Sequence, residues 1–214
     1  MISADATPHA SERRLIVVHL GDYIDRGEQS SDVIEMLSNP VLPGFETVFL
    51  KGNHEQLMLD YLDGGDGGTW FHNGGDATAQ SYGVALLEDD LWGDGPTNTR
   101  AALACIIPEK HIKFLRDLEP WARHGDYAFV HAGISPGISL ERQNERDLLW
   151  IRERFLSATD DHGMVVVHGH SISRTVDIQP NRIGIDTGAF SSGVLTALML
   201  QDEDRSFLQT TPSV

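Results

Sequence analysis

The chain has little cysteine, few basic residues and no long apolar run. Cys105 is the only cysteine among 214 residues. An internal disulfide and a thiolate zinc site are therefore excluded, and we predict a small buried side chain at this position. No run reaches the roughly 18 apolar residues of a membrane helix, so we expect no membrane partner. One cysteine without an N-terminal secretory pattern favours a reducing, cytoplasmic setting.

Acidic residues outnumber basic ones, with 32 Asp and Glu against 16 Lys and Arg, for a formal net charge of −16. Such a surface repels the nucleic-acid backbone, so we expect no nucleic-acid partner. A cleft can nevertheless be locally positive through metal ions and a few Arg side chains. The acidity thus leaves phosphate esters open as substrates, and the composition does not set an oligomeric state.

The pattern along the chain is that of a single α/β domain, which the length of 214 residues fits. Apolar, β-branched runs at residues 15–20 and 47–50 predict buried strands. Ser30 or Ser31 offers the N-cap of one helix, and a second helix is predicted from near Gln56. The order is therefore strand, loop, helix, twice over, and ligands bind at the strand ends of such units.

The rest of the chain continues this organisation. Residues 63–120 are predicted to form a mainly helical insertion over the active-site side, with glycine-rich turns. A helix is predicted at 147–155. Strands of the main sheet are predicted at 127–130, 165–167, 182–186 and 195–200. We therefore predict two mixed sheets that pack face to face with helices outside.

Four predicted strands end in metal-binding residue types beside glycine: Asp22, Asn53, His131, and His168 or His170. Each alone is typical of a turn, a helix cap or a satisfied polar side chain. Four repeats argue for one site, because glycine lets the backbone turn sharply and bring such side chains together. A carboxylate, an amide oxygen and imidazoles suit Mn, Fe, Co or Zn better than Ca or Mg. Two such metals about 3.5–4 Å apart clamp a phosphoryl group, and the two oxygens of Asp22 suit it as the bridge.

The motifs at residues 21–27, 52–55, 131–133 and 169–171 resemble, in this order, those of the calcineurin-like metallophosphoesterases, specifically the bacterial phosphoprotein phosphatase branch. The resemblance covers almost the whole chain. It includes Trp70 and these further segments: 73–75, 81–83, 148–152 and 185–189. It implies a four-layer sandwich of two mixed sheets. It also implies two divalent metal ions, with Mn foremost and Fe, Zn, Co or Ni as alternatives.

The resemblance implies a metal-binding role for four residues. Asp22 would bridge the two metals. Asn53, His131 and His170 would complete the second metal. The attacking group would then be a metal-bridging hydroxide, and no covalent phosphoenzyme is expected.

The resemblance implies roles in phosphate binding and acid catalysis for four more residues. Arg26 and Arg152 would hold the phosphate oxygens, which a planar fork of donors fits well. His54 would be the general acid toward the leaving oxygen. Asp25 would orient and polarise His54.

Several neighbouring polar residues keep two interpretations. His168 is either a further ligand or a partner that supports one, and Lys51 either adds charge to the site or is solvated. Glu55 is expected at a helix start or in support of the ligands. Arg152 is predicted to share a helix with Arg146 and Arg154. We expect no site role for the other histidines: His19, His72, His111, His124 and His162.

The family pattern opens with Asp-x-His at an earlier strand, and no such motif precedes Asp22; Asp5 and His9 lie four apart on no strand pattern. A truncated start, favoured because the remaining site is intact, and a degenerate family member are the two interpretations. Either leaves the first metal with Asp22 and water. We thus expect one bound metal or less, poor phosphomonoester hydrolysis, and a destabilising bare strand edge.

The expected function is hydrolysis of phosphomonoesters, on phosphoserine or phosphothreonine of proteins, with phosphotyrosine as a further option. The partner is accordingly a phosphoprotein or a small phosphate ester. Two alternatives stay open. One is a diadenosine polyphosphate hydrolase, and the other is a truncated remnant that binds phosphate with weak or no activity.

Overall fold

The computed structural model describes residues 14–39, 42–86 and 97–211. Their contacts divide them into two compact units. The helical unit comprises residues 21–39, 51–86 and 97–118, and the strand unit comprises residues 14–20, 42–50 and 119–211. Both helices and sheets are present, which confirms the predicted α/β class. No helix in these ranges is long and apolar enough to cross a membrane.

The helical unit is built from six helices in the described ranges. They are α1 (Ser30–Leu37), α2 (Asn53–Leu62), α3 (Gly68–Trp70), α4 (Asp76–Ser81), α5 (Thr97–Ile106) and α6 (Glu109–Arg116). A wide turn at Phe71–Gly75 joins α3 to α4. The described part of segment 63–120 is thus mainly helical, and its place in a single domain with the rest of the chain stays a prediction. Asp5 and His9 lie outside the described residues.

The core of the helical unit is aromatic. Tyr61, Trp70 and Phe71 form a cluster with ring centroids 4.9–5.2 Å apart, and all three are buried. Gly67 lies directly against Tyr61, where a Cβ would be 2.7 Å from the ring. Ile34 on α1 is also fully buried. Helix α2 therefore sits at the centre of this unit, with α3, α5 and α6 packed against it.

The helix starts differ from the predicted ones for reasons of hydrogen bonding. Helix α2 begins at Asn53 rather than near Gln56, because Gly52 takes the N-cap position and the Glu55 side chain accepts the Gly52 N–H at 2.8 Å. Helix α1 has Gln29 at its N-cap and no capping side chain. The Ser30 hydroxyl, predicted as a cap, instead accepts the N–H of Asp25 at 3.2 Å. Ser30 therefore holds the preceding loop.

The strand unit contains three sheets. Strands β1 (Leu15–His19) and β2 (Phe45–Phe49) pair in parallel. A five-stranded mixed sheet has the order β3-β4-β5-β7-β6. Its strands are β3 (Trp121–His124), β4 (Tyr127–Val130), β5 (Val165–His168), β6 (Asp177–Ile178) and β7 (Arg182–Gly184). Strands β4, β5 and β7 are parallel, and each edge strand, β3 or β6, pairs with its neighbour in antiparallel orientation. The C-terminal ends of β4 and β5 therefore lie on the same side of the sheet.

The third sheet is a hairpin of β8 (Thr196–Gln201) and β9 (Asp204–Gln209). Residues 195–200 were predicted to finish the main sheet, and this prediction is wrong in pairing, since β8 pairs with β9. The turn between them places Asp202 at φ 53, a conformation that Asp tolerates better than most residues. This turn reverses the chain so that two neighbouring segments satisfy each other's backbone groups.

The strand unit also contains a 3-10 turn at Leu140–Arg142 and three short α-helices: α7 (Glu145–Trp150), α8 (Glu153–Leu156) and α9 (Ala189–Ser192). One continuous helix was predicted over 147–155, and the structure corrects this. The helix breaks at Arg152, whose φ of −130° and ψ of −103° are not helical. The break lets Phe155 enter a core that also contains Val130, Leu140 and Leu148.

Cys105 is exposed rather than buried as predicted. It lies on α5, where Thr99 and Leu103 are buried, as is Ile107 just after the helix. Residues two apart on a helix face different directions. The burial of Leu103 therefore turns Cys105 toward solvent.

Leu140→Ala is expected to lower the free energy of unfolding by about 2–5 kcal/mol, because Leu140 is 1% exposed in the core of the strand unit and its truncation leaves a cavity. Leu195→Ala is the matched control, since Leu195 is 64% exposed in the same unit. It should change stability by about 0.5 kcal/mol or less. Urea unfolding of both variants measures this, and equal effects would contradict the assigned core.

Candidate active site

The predicted site residues form two groups, one in each unit. In the helical unit lie Asp22, Asp25, Arg26, Asn53 and His54, on two loops and the start of α2. In the strand unit lie His131, Arg152 and His170. Each group is built separately, from the strand ends and the turns that follow them.

Glu55 ties together the two loops of the first group. Its carboxylate accepts the backbone N–H groups of Asp22 at 2.9 Å, Tyr23 at 2.6 Å and Gly52 at 2.8 Å. Burial, together with the nearby Asp22 charge, raises the pKa of Glu55 to about 7, while these three N–H groups oppose the shift. Glu55 lies in the first turn of α2, as expected, and its role in supporting metal ligands stays a prediction.

Gly52 is required by the close approach of these loops. A Cβ at this position would overlap the backbone nitrogen and a carboxylate oxygen of Asp22, and would lie 2.7 Å from Oε2 of Glu55. Real Cβ atoms do not approach so closely. The absence of a side chain therefore allows Asp22 and the start of α2 to meet.

Asp22 and Asn53 are the predicted metal ligands of this group. Oδ1 of Asp22 accepts the backbone N–H of His54 at 3.3 Å, and its Oδ2 lies 4.0 Å from Nε2 of His54. Asn53, the first residue of α2, is 2% exposed. The carboxylate of Asp22 and the imidazole of His54 therefore lie side by side.

His54 and Asp25 form a buried hydrogen-bonded pair. Nδ1 of His54 lies 2.6 Å from Oδ2 of Asp25, and the two residues are 4% and 7% exposed. The other carboxylate oxygen of Asp25 accepts the Thr78 hydroxyl at 2.7 Å and the Trp70 indole N–H at 3.1 Å. Because Nδ1 points at Asp25, Nε2 is the nitrogen left to face a reacting group. The contact that the sequence predicted between His54 and Asp25 is present.

The environment shifts the pKa of both partners. Burial alone would lower the pKa of His54, but the hydrogen bond to Asp25 and the charges of Asp22 and Asp25 outweigh it, so the pKa is raised. Burial raises the pKa of Asp25, against the hydrogen bonds from His54, Thr78 and Trp70. A raised pKa keeps more of the imidazole protonated near neutral pH, which suits a proton donor.

Arg26 is exposed beside this pair. Its backbone N–H donates to the carbonyl of Gly74 at 3.1 Å, and its Nε donates to the carbonyl of Asn73 at 3.3 Å. Arg26 has a φ of 64° and Asp25 a φ of 74°, both in the left-handed region that costs energy for residues other than glycine. The loop is thus held in a strained conformation by contacts with residues 73–74.

The second group contains two facing imidazoles. His131 follows β4 and His170 lies just beyond β5, and Nε2 of His131 is 3.2 Å from Nδ1 of His170. Nδ1 of His131 donates to the carbonyl of Leu20 at 2.8 Å. With Nδ1 directed at this carbonyl, Nε2 of His131 faces His170. A histidine that binds metal characteristically donates its other nitrogen to a carbonyl in this way, so the pair fits a metal ion.

Arg152 lies at the break between α7 and α8, not within a helix with Arg146 and Arg154 as predicted. Its Nη1 donates to the carbonyl oxygen of His170 at 3.2 Å. Trp150 presents its ring nearly perpendicular to that of His170, with centroids 6.0 Å apart. The helix break therefore carries the guanidinium toward His170.

His168 is buried in the strand unit at 1% exposure. Its Nδ1 lies 3.0 Å from the carbonyl of Gly169, and its ring packs edge-on against Phe155 at 5.1 Å. Nε2 has no hydrogen-bond partner among the described residues. Burial lowers the pKa of His168 to about 4, so the ring is neutral. These contacts favour the interpretation that His168 supports the turn before His170.

A model of the calcineurin-like phosphoesterases matches residues 5–189. The chain belongs to this family. Serine/threonine-protein phosphatase 2 of Escherichia coli is 28% identical over 190 residues, which cover 85% of this chain and 78% of that protein. Serine/threonine-protein phosphatase 1 of Salmonella typhimurium is 29% identical over 197 residues, which cover 87% and 79%. The predicted superfamily and its bacterial phosphatase branch are confirmed, and with them a hydrolase.

Solved structures share the fold of this family member. One, provisionally assigned as a diadenosine tetraphosphatase, has a TM-score of 0.62 at 19% identity and covers 98% of this chain and 88% of its own. The cold-active protein-tyrosine phosphatase of a psychrophilic Shewanella has a TM-score of 0.57 at 15% identity, over 92% of this chain and 69% of its own. At these identities the likeness establishes the metallophosphoesterase fold.

Several contacts of the site were missed from the sequence. Among them, Thr78, Ser30 and Trp70 hold Asp25, and the carbonyl of Leu20 holds His131. Nothing in the local pattern marks a threonine on a helix or a backbone carbonyl as a partner. Lys51, for which two interpretations were open, donates to Oε1 of Gln56 at 3.2 Å.

Gly52→Ala is expected to lower the free energy of unfolding by about 1–3 kcal/mol, because its methyl group would displace Asp22 or Glu55. Gly27→Ala is the control in the other of the two loops, the one that carries Asp22, where the nearest atom to the new Cβ is 3.9 Å away. Thermal unfolding compares the two. A tolerated Gly52→Ala would contradict the tight packing of the two loops.

Proposed function

We propose that the chain is a metal-dependent phosphomonoesterase that acts on phosphoserine and phosphothreonine of proteins. The observation that carries this proposal is the buried Asp25–His54 pair, with Nε2 of His54 directed away from Asp25 and Arg26 exposed alongside. The substrate class is supported by the relatives named serine/threonine-protein phosphatase, at 26–29% identity.

The proposed metal ligands are Asp22, Asn53, His131 and His170. A carboxylate, an amide oxygen and two imidazoles form a mixed donor set that suits Mn, Fe, Co or Zn. The facing nitrogens of His131 and His170, with Nδ1 of His131 fixed on a carbonyl, support this assignment. The family generally uses two metal ions. When bound, such ions supply Lewis acidity and an activated water.

The protein side chains have two proposed tasks. Arg26 and Arg152 bind the phosphate oxygens, since a guanidinium presents several N–H groups in one plane. His54 is protonated at both nitrogens in this proposal. Its Nδ1–H donates a hydrogen bond to Asp25, and its Nε2 proton passes to the leaving oxygen. Asp25 stabilises the charged ring and fixes its orientation. The burial of this pair excludes water from the Nδ1 side.

His131→Ala is expected to weaken Mn²⁺ binding at least about tenfold, because it removes a proposed ligand together with its carbonyl contact. His72→Ala is the control, an exposed histidine of the helical unit. Calorimetric titration of the metal-stripped chain measures the affinity, and metal analysis gives the number of ions bound per chain. Unchanged binding by His131→Ala would exclude His131 as a ligand.

The substrate is tested with phosphoserine, phosphothreonine and phosphotyrosine peptides and with diadenosine tetraphosphate, each with and without Mn²⁺. The expected result is metal-dependent phosphate release from the first two, and its loss in His54→Gln. Faster cleavage of diadenosine tetraphosphate would replace the proposal with a nucleotide hydrolase. Peptide binding without phosphate release would indicate a binding protein.

A further inference from the structure

The proposed metal-binding and phosphate-binding roles do not account for the residues found in segment 70–78. It runs from Trp70 at the end of α3, through the turn with Asn73, Gly74 and Gly75, to Thr78 on α4. We call it the 70–78 segment. Its contacts with Asp25 and Arg26 all lie within the helical unit.

Thr78 makes two hydrogen bonds to Asp25. Its hydroxyl accepts the backbone N–H of Asp25 at 2.8 Å and donates to Oδ1 at 2.7 Å. Trp70 donates to the same Oδ1 at 3.1 Å. With Oδ1 bound by two donors, the carboxylate is oriented so that Oδ2 meets His54 at 2.6 Å. The direction of the His54 ring is therefore set from the 70–78 segment, 45 to 53 residues from Asp25 in sequence.

The same segment holds Arg26. The carbonyl of Gly74 accepts the Arg26 backbone N–H at 3.1 Å, and the carbonyl of Asn73 accepts its Nε at 3.3 Å. Asp25 and Arg26 both have positive φ. Two adjacent residues remain in this costly conformation when surrounding contacts over-determine it. The carbonyls of the turn and the hydroxyl of Thr78 provide those contacts.

The two glycines of the turn are explained by the space that they leave. At Gly74, with φ 102°, a Cβ would lie 2.7 Å from Cγ and 2.9 Å from the backbone nitrogen of Arg26. At Gly75 a Cβ would lie 2.5 Å from the indole of Trp70. Gly74 thus lets the turn approach Arg26, and Gly75 lets the indole take the position from which it reaches Asp25.

We propose that the 70–78 segment contains positioning residues for two functions at once: Thr78 and Trp70 aim His54 through Asp25, and Gly74 places Arg26. This inference rests on the proposed phosphomonoesterase function. Two parts of the segment should then have different kinetic effects. Changes at Thr78 and Trp70 should affect protonation of the leaving group, and changes at Gly74 should affect phosphate binding.

The first part is tested with Thr78→Val, which removes the hydroxyl at nearly constant volume, and with Thr78→Ser, which keeps it. The phenolate of phenyl phosphate is a basic leaving group that needs a proton on its oxygen. The 4-nitrophenolate of 4-nitrophenyl phosphate leaves readily without one. Thr78→Val should lower kcat about tenfold or more for phenyl phosphate and less than about threefold for 4-nitrophenyl phosphate, as expected for loss of acid catalysis. Thr78→Ser should restore both. Equal losses on the two substrates would show a merely structural role and overturn the inference.

Trp70→Phe is the second variant, should Thr78→Val fail to fold. It keeps an aromatic ring and removes the N–H that binds Asp25. The same selective loss on phenyl phosphate is expected, at smaller size because the Thr78 hydroxyl remains. A loss that is equal on both substrates would overturn the role of the indole N–H.

A second readout does not depend on turnover. In nitrogen-15 spectra of the metal-free chain, the Nδ1 proton of His54 should give a downfield resonance, assigned by its disappearance in His54→Gln. The resonance should shift or broaden in Thr78→Val and return in Thr78→Ser. An unchanged resonance would overturn the inference even in an active enzyme. Conversely, if the wild type hydrolyses neither ester with Mn²⁺, the proposed function fails while this measurement still decides the positioning.

The second part is tested with Gly74→Ala against Gly83→Ala. Both glycines have positive φ, 102° and 82°, but a Cβ at Gly83 meets nothing closer than Cδ1 of Ile106 at 3.8 Å. Gly83→Ala therefore carries the backbone strain without the collision with Arg26. Gly74→Ala should raise KM for 4-nitrophenyl phosphate about tenfold or more relative to Gly83→Ala, as expected when a charged phosphate contact is displaced. The same KM in both variants would overturn the placement of Arg26 by Gly74.

Discussion

The candidate site depends on the need of one buried carboxylate, that of Asp25, for hydrogen-bond donors. A carboxylate removed from water is costly unless its oxygens are hydrogen-bonded. The donors come from His54, Trp70 and Thr78, on α2, α3 and α4. Three helices are thus fastened to one loop. The interaction that orders the fold here is the same one that orients the proposed acid.

A second buried carboxylate, that of Glu55, binds backbone N–H groups, whereas the carboxylate of Asp25 binds side-chain donors. It accepts three N–H groups from two loops, and Gly52 allows those loops to touch. The orientation of Asp22 follows from this contact. The positive φ angles of Asp25 and Arg26 are tolerated because hydrogen bonds to Thr78 and Gly74 fix this loop. The proposed chemistry therefore rests on polar contacts buried beneath it.

Much of the local structure was predictable, because β-branched runs and glycine-flanked polar residues mark strands and their ends. Strands β1, β2, β4 and β5 follow this pattern. The points at which helices begin or are interrupted were harder to predict. Gly52 starts α2 earlier than periodicity suggests, and Arg152 interrupts a helix whose composition is continuous. Cys105 was misplaced because burial on a helix depends on which face meets the core.

The sequence by itself determined the family, the fold class and the chemical type of each candidate side chain. These properties depend on residue identity and on spacing over a few positions. Tertiary structure decided that Ser30 and Thr78 hold Asp25, that His131 is fixed by the carbonyl of Leu20, and that Arg152 reaches His170. Thr78 is 53 residues from Asp25, and His131 is 111 from Leu20. Contacts over such separations depend on how helices and strands pack, which no local pattern encodes.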